Sequence, residues 1–89
     1  MIRVFLRHEV VDYDTWRRHY DSFDAERREM GVVSDAVFRN QEDEHEITVT
    51  HDFPSMAEAE RFVSPRTLRR ATKADPAPAS DPSVWFAEL

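Results

Sequence analysis

Apolar and other residues alternate in two separate segments of the chain, and this period of two predicts β-strands. Residues 4–10 and 47–53 carry the same order of residue types, each ending in a histidine, an acid and an apolar residue, at an offset of 43 from Val4 to Ile47. The same offset carries Asp12 onto Ser55, and we expect each of these to cap a helix. The chain is therefore predicted to repeat a strand-helix unit.

A helical spacing of apolar residues follows the first strand, residues 2–10, and predicts a helix over about residues 13–30. Gly31 stands where a left-handed C-terminal cap belongs. Arg27 occupies one position of the apolar stripe, whose other members are Tyr13, Trp16, Tyr20, Phe23 and Met30.

The second half of the chain predicts a hairpin, a helix and a last strand. Strands over residues 32–40 and 46–53 flank an acidic loop. The capping-box pattern from Ser55 to Glu58 starts a helix that buries Ala59, Phe62 and Val63. A further helix is predicted to begin at Pro65, with Leu68 and Ala71 pointing inward. Its solvated face would be basic, with Arg66, Arg69, Arg70 and Lys73. An extended connector is expected over residues 75–82, followed by a last strand over 84–89.

The order of elements predicts a ferredoxin-like α+β fold, βαββαβ, with an antiparallel four-stranded sheet. Within it we expect the first and third strands to be neighbours that run parallel, with both helices on one face of the sheet. His8 and His51 would then lie side by side on that face, near the C-terminal ends of their strands.

Composition limits the classes of protein that fit. With 89 residues, of which 40% are hydrophobic and 34% charged, the chain is expected to form a single domain, residues 1–89, with a thin core that a partner subunit would help to stabilise. The net charge of −6 argues against nucleic acid as a partner. No apolar run reaches membrane length, and residues 1–7 are too short and too charged for a signal peptide, so we expect a cytoplasmic protein without a membrane partner. The absence of cysteine excludes thiolate chemistry.

Several motifs resemble the dimeric α+β barrel superfamily, which includes antibiotic biosynthesis monooxygenases and small proteins labelled polyketide cyclases. The resemblance covers nearly the whole chain. The segments that carry it are 10–16, 20–21, Arg27, Gly31, 37–39 and 59–68.

This resemblance implies a homodimer whose two sheets pack face to face, with a ligand cavity between the sheet and helices of each subunit. It also implies chemistry on aromatic or polyketide-like molecules without a cofactor, whether metal or flavin. The superfamily hosts several other reactions, so the resemblance is more specific for the fold than for the activity.

His8 and His51 are the candidate catalytic residues. Two neighbouring imidazoles disfavour each other's charged form, which would leave a neutral base near pH 7 for deprotonating a phenol or an activated C–H. The alternative is that each histidine is structural and bonded to a backbone carbonyl. We expect no metal, because Glu9 and Asp52 alternate onto the opposite sheet face and no third ligand is evident.

Trp16, Tyr20 and Arg27 are the candidate substrate-binding residues. Trp16 and Tyr20 lie one turn apart and could form the wall of a cavity for a planar ligand, or could be ordinary core aromatics. An inward arginine requires an anionic partner, and we expect Arg27 to pair with an acid such as Glu58 or to cap carbonyls rather than to bind substrate.

The other face of the sheet is expected to form a subunit interface, through Arg3, Phe5, Arg7, Thr48, Thr50 and Phe86.

Two hypotheses for function follow. The first is a cofactor-independent cyclase-like or monooxygenase-like enzyme acting on an aromatic or polyketide-like molecule. The second is a non-catalytic dimeric module that binds a small molecule or stabilises a partner enzyme.

Overall fold

The computed structural model describes residues 1–64 and 83–89. In chain order its elements are β1 Ile2–Glu9, α1 Tyr13–Ser22, α2 Asp24–Glu29, β2 Ser34–Arg39, β3 Glu46–Phe53, α3 Met56–Phe62 and β4 Ser83–Glu88. The predicted helix beginning at Pro65, with Leu68, Ala71 and the basic residues, and the predicted connector over 75–82 lie outside the described residues. No helix in the described part of the chain is long and apolar enough to cross a membrane.

The four strands form one sheet in the order β2-β3-β1-β4, and every neighbouring pair is antiparallel. The predicted ferredoxin-like architecture is confirmed, and so is the adjacency of β1 and β3. The expectation that these two strands run parallel is wrong. A crossover through the helices makes β2 parallel to β1, and the hairpin then returns β3 between them in the opposite direction.

The helices cover one face of the sheet, as predicted. Under α3, Val4 and Phe53 are fully buried with Ala59 and Phe62. Under α1, Trp16 packs in a second buried cluster with Val10, Ile47 and Val49. Both clusters draw on residues of one sheet face, so they form a single layer between the sheet and the helices.

The predicted helix caps are present. The Asp12 carboxylate accepts from the Asp14 N–H and from the Thr15 hydroxyl, and the Ser55 hydroxyl accepts from the Glu58 N–H. Gly31 has a φ of 100°, the left-handed conformation expected of a C-terminal cap.

The predicted single helix over 13–30 is interrupted at Phe23. The Phe23 N–H bonds the Tyr20 carbonyl three residues back, and the Arg27 guanidinium bonds the same oxygen at 2.7 Å. The first segment therefore ends in a tightened turn, and α2 starts again at Asp24.

The sheet face without helices, called the open face below, carries both ion pairs and aromatic rings. Arg3 donates to both oxygens of Asp52 at 2.7 and 3.0 Å, and the Ser34 hydroxyl donates to the same carboxylate. Phe5 stacks on Trp85 with ring centroids 5.2 Å apart. The expectation for Phe86 is wrong, because Phe86 pairs with Val4 and so belongs to the helix-covered face.

Candidate functional site

His8 and His51 both point to the helix-covered face, but they do not lie side by side. In the antiparallel register His51 pairs with Val4 and His8 pairs with Ile47. The two histidines are therefore offset by four positions along β1, roughly 13 Å along the strand. The predicted histidine pair is wrong, since repeated units related by a two-fold axis place equivalent residues on opposite sides of that axis.

His51 is the more deeply buried histidine, with 2% of its surface exposed. Its Nε2 lies 3.0 Å from the Tyr20 hydroxyl, and its ring packs against Phe62 with centroids 4.6 Å apart. Its Nδ1 is buried without a hydrogen-bond partner among the described residues. Burial, and then the nearby positive charge of Arg27, lower the pKa of His51 from 6.5 to about 4. His51 is therefore a neutral imidazole at neutral pH, but this results from burial and not from a second histidine.

Asp35 completes the polar contacts of this site. It pairs with His51 across β2 and β3, and its Oδ2 accepts from the Tyr20 hydroxyl at 2.8 Å. Its other oxygen accepts from Arg28 at 3.1 Å. Burial, together with the bond to Asp35, raises the pKa of Tyr20. The Tyr20 hydroxyl therefore stays protonated and connects the carboxylate to the imidazole.

Arg27 supports this arrangement from the helical side. Only 8% of its surface is exposed, and its guanidinium lies 3.6 Å from the centroid of the Tyr20 ring. It bonds the Tyr20 carbonyl, which confirms the predicted carbonyl capping. The predicted acidic pairing is also present, but with Asp24 at 3.8 Å and Asp35 at 3.9 Å and not with Glu58. Glu58 instead lies against Gly31.

Trp16 and Tyr20 lie together on the inward face of α1, as predicted, with ring centroids 5.0 Å apart. Trp16 meets His8 edge to face at 5.9 Å, and Tyr20 approaches His51 at 6.0 Å. The rings of His8, Trp16, Tyr20 and His51 form one continuous row, which lies between α1 and the sheet and runs from β1 to β3. The stack thus spans the distance between the two histidines, and its role in binding a ligand stays a prediction.

Two concave surfaces formed by the described residues lie away from His51. A depression of about 350 Å³ on the open face is lined by residues that include Arg7, Phe38 and Trp85. A smaller one of about 180 Å³ lies beside the start of α1 and includes Asp12 and His45. Neither is lined by His51. Among the described residues no cluster of three or more acids and histidines is placed to hold a metal ion.

Asp35 is the site residue that sequence reasoning missed. The sequence does contain an indication of it: Asp35 is a charged residue two positions before Val37, so the alternation of the strand places both side chains on the inward face. Its importance became visible only with the register, which sets it opposite His51.

Several solved structures share this architecture over almost the whole chain. A protein of Bordetella bronchiseptica assigned to the antibiotic biosynthesis monooxygenases has 14% identity and a TM-score of 0.80, covering 99% of this chain and 95% of its own. A Caulobacter crescentus protein with the same assignment has 17% identity and a TM-score of 0.77, covering 99% and 88%. A Streptomyces coelicolor monooxygenase in complex with nanaomycin D has 16% identity and a TM-score of 0.70, covering 99% and 86%.

The chain has the fold of the antibiotic biosynthesis monooxygenases. The resemblance found in the sequence is thereby confirmed at the level of fold. No family model matches the sequence, and no curated protein matches it significantly. One fold hosts many reactions, and the activity depends on the side chains of the site.

Proposed function

We propose that this protein is a cofactor-independent monooxygenase-like or cyclase-like enzyme of specialised metabolism, acting in the cytoplasm on an aromatic or polyketide-like molecule. The observation that carries the proposal is the neutral, buried imidazole of His51, held against Tyr20 beside the aromatic row. The same fold occurs in the Streptomyces coelicolor monooxygenase solved in complex with nanaomycin D, and this supports a small molecule as the substrate.

In this proposal His51 is the general base. With a pKa of about 4 the imidazole of His51 is a weaker base than an ordinary histidine, so it suits substrates whose protons are acidified by neighbouring carbonyl groups. Anthrones and poly-β-ketones have such protons. In an oxygenation, the anthrone methylene gives a proton to His51, and the carbanion consumes dioxygen to give the anthraquinone and water. In a cyclisation, the carbanion forms a carbon–carbon bond to a carbonyl, and His51 returns its proton to the resulting alkoxide.

The test is to follow oxygen consumption and product formation with 1,8-dihydroxyanthrone, without added metal or flavin. His51→Ala should reduce the rate on the order of 10²–10⁴-fold. His45→Ala is the matched control, because His45 lies in the exposed hairpin loop and should retain the wild-type rate. His8→Ala in the same series tests the predicted role of His8. Wild-type turnover in His51→Ala would contradict the proposal.

A second candidate function is a non-catalytic module that binds a small molecule. The burial of His51 favours it, because neither of the depressions described above reaches the imidazole. Saturable binding of the anthrone without turnover, equal in wild type and His51→Ala, would support the binding module against the enzyme.

We also propose that the protein is a homodimer joined through the open face. Phe38 and Trp85 are 57% and 42% exposed there, and apolar side chains clustered on one face mark a contact surface. In a dimer related by a two-fold axis the same face of both copies would meet, so these exposed rings would be covered together. Sedimentation should give twice the chain mass of 10.5 kDa, and the mass of a single chain at micromolar concentration would contradict the dimer.

A further inference from the structure

The hydrogen bonds around Tyr20 determine which nitrogen of His51 carries the proton. The Tyr20 hydroxyl has one proton and two neighbours that could accept it, the Asp35 carboxylate at 2.8 Å and the His51 Nε2 at 3.0 Å. Hydrogen bonds to an ionised acceptor are the stronger ones, so the hydroxyl donates to Asp35. The Tyr20 oxygen is then an acceptor toward His51, which makes Nε2 the protonated nitrogen.

The remaining nitrogen, Nδ1, is consequently a bare acceptor. It is buried and has no hydrogen-bond partner among the described residues. Buried polar atoms are nearly always paired, so an unpaired imidazole lone pair inside the protein is an unusual feature that a ligand donor would satisfy.

We propose that Asp35 is a positioning residue: through the Tyr20 hydroxyl it fixes His51 as the Nε2–H tautomer and leaves Nδ1 as the nitrogen that accepts a proton or hydrogen bond from the substrate. The role of Nδ1 toward a substrate rests on the proposed function. The tautomer does not, because it follows from contacts within the protein alone.

Asp35→Asn tests the assignment with a nearly isosteric change. Arg28 donates to the Asp35 Oδ1 at 3.1 Å, so the amide oxygen of the new side chain should take that place and its NH₂ should face Tyr20. The Tyr20 oxygen would then accept from the amide, and its hydroxyl proton would turn to the His51 Nε2. The proton on the imidazole should therefore move from Nε2 to Nδ1.

The measurement is the ¹⁵N NMR spectrum of the imidazole at neutral pH, in which protonated and bare ring nitrogens are well separated. Wild type should show Nε2–H, and Asp35→Asn should show Nδ1–H. Asp24→Asn is the matched control: Asp24 lies within 4 Å of the same two arginines, Arg27 at 3.8 Å and Arg28 at 3.5 Å, and the structure gives it no bond to Tyr20. This control should keep the wild-type tautomer.

Tyr20→Phe completes the test, since it keeps the ring but removes the hydroxyl. In that background Asp35→Asn should no longer change the tautomer. A wild-type spectrum with Nδ1–H, or an unchanged tautomer in folded Asp35→Asn protein, would overturn the proposal. Because these spectra are recorded without substrate, a failed activity assay would refute the proposed function and leave this result standing.

Discussion

The burial of His51 should make the protein lose stability as the pH falls below neutral. In the unfolded chain an ordinary histidine takes up a proton near pH 6.5, whereas in the folded protein burial and Arg27 lower the pKa of His51 to about 4. Between these two pH values the unfolded state binds more protons than the folded state. The free energy of unfolding should therefore fall as the pH decreases from 6.5 to about 4, and this contribution should stop growing below that, where both states are protonated.

The difference between the two pKa values corresponds to about 3 kcal/mol. This is a large part of the stability of a small domain, which is typically about 5–15 kcal/mol. The assay is urea unfolding followed by circular dichroism, at neutral pH and at about pH 4.5, at one fixed protein concentration because association would add to the apparent stability.

His51→Gln removes the titrating group, so this variant should lose about 2–3 kcal/mol less than wild type between the two pH values. His45→Gln removes an exposed imidazole and should follow the wild-type curve. Asp52, whose pKa is lowered mainly by its hydrogen bond to Arg3, contributes at more acidic pH than His51. Parallel losses in wild type and His51→Gln would refute the reasoning.

Three further outcomes are expected. Gly31→Ala should lower the free energy of unfolding, measured in urea, by about 1–3 kcal/mol, because φ is +100° and the new Cβ would lie 2.6 Å from the Glu58 Oε2. Adding Glu58→Ala should recover only the part of this loss that is due to the contact with Glu58. Asp12→Ala should lower the free energy of unfolding by about 1–2 kcal/mol, which is more than Ser55→Ala, because Asp12 accepts two hydrogen bonds and Ser55 accepts one long bond of 3.4 Å. Equal losses in the two variants, measured by the same method, would contradict this. Phe5→Glu should weaken association in sedimentation without reducing the helical signal in circular dichroism, whereas an unchanged dimer would place the interface elsewhere.

The alternation of apolar residues was sufficient to predict the strands. The third strand, Glu46–Phe53, was predicted to the residue, and the cap at Gly31 follows from the one residue type that takes positive φ freely. Both depend on short-range geometry, which residue types determine directly. The break at Phe23 could not be read in the same way, because it depends on a bond between Arg27 and a carbonyl seven residues earlier.

The site was predicted only in part for a similar reason. The inward direction of His51 follows from the period of two, and the prediction that Trp16 and Tyr20 lie together follows from helical spacing. Which residues meet across the sheet depends on strand direction and register, which alternation does not reveal. The antiparallel pairing of β1 and β3 separates His8 from His51, and the register of the β2–β3 hairpin places Asp35 opposite His51.

The positions of the two tryptophans give the protein a built-in pair of optical reporters. Trp16 is buried in the aromatic row between helix and sheet, with 6% of its surface exposed, while Trp85 lies on the open face. Indole emission depends on polarity and on nearby quenching groups, so the two residues report on different events within one chain. In a Trp16→Phe protein the emission of Trp85 would report on the open face, and in a Trp85→Phe protein that of Trp16 would report on changes beside Tyr20. Changes beside His51 and changes on the open face could thus be followed separately, without attaching a dye.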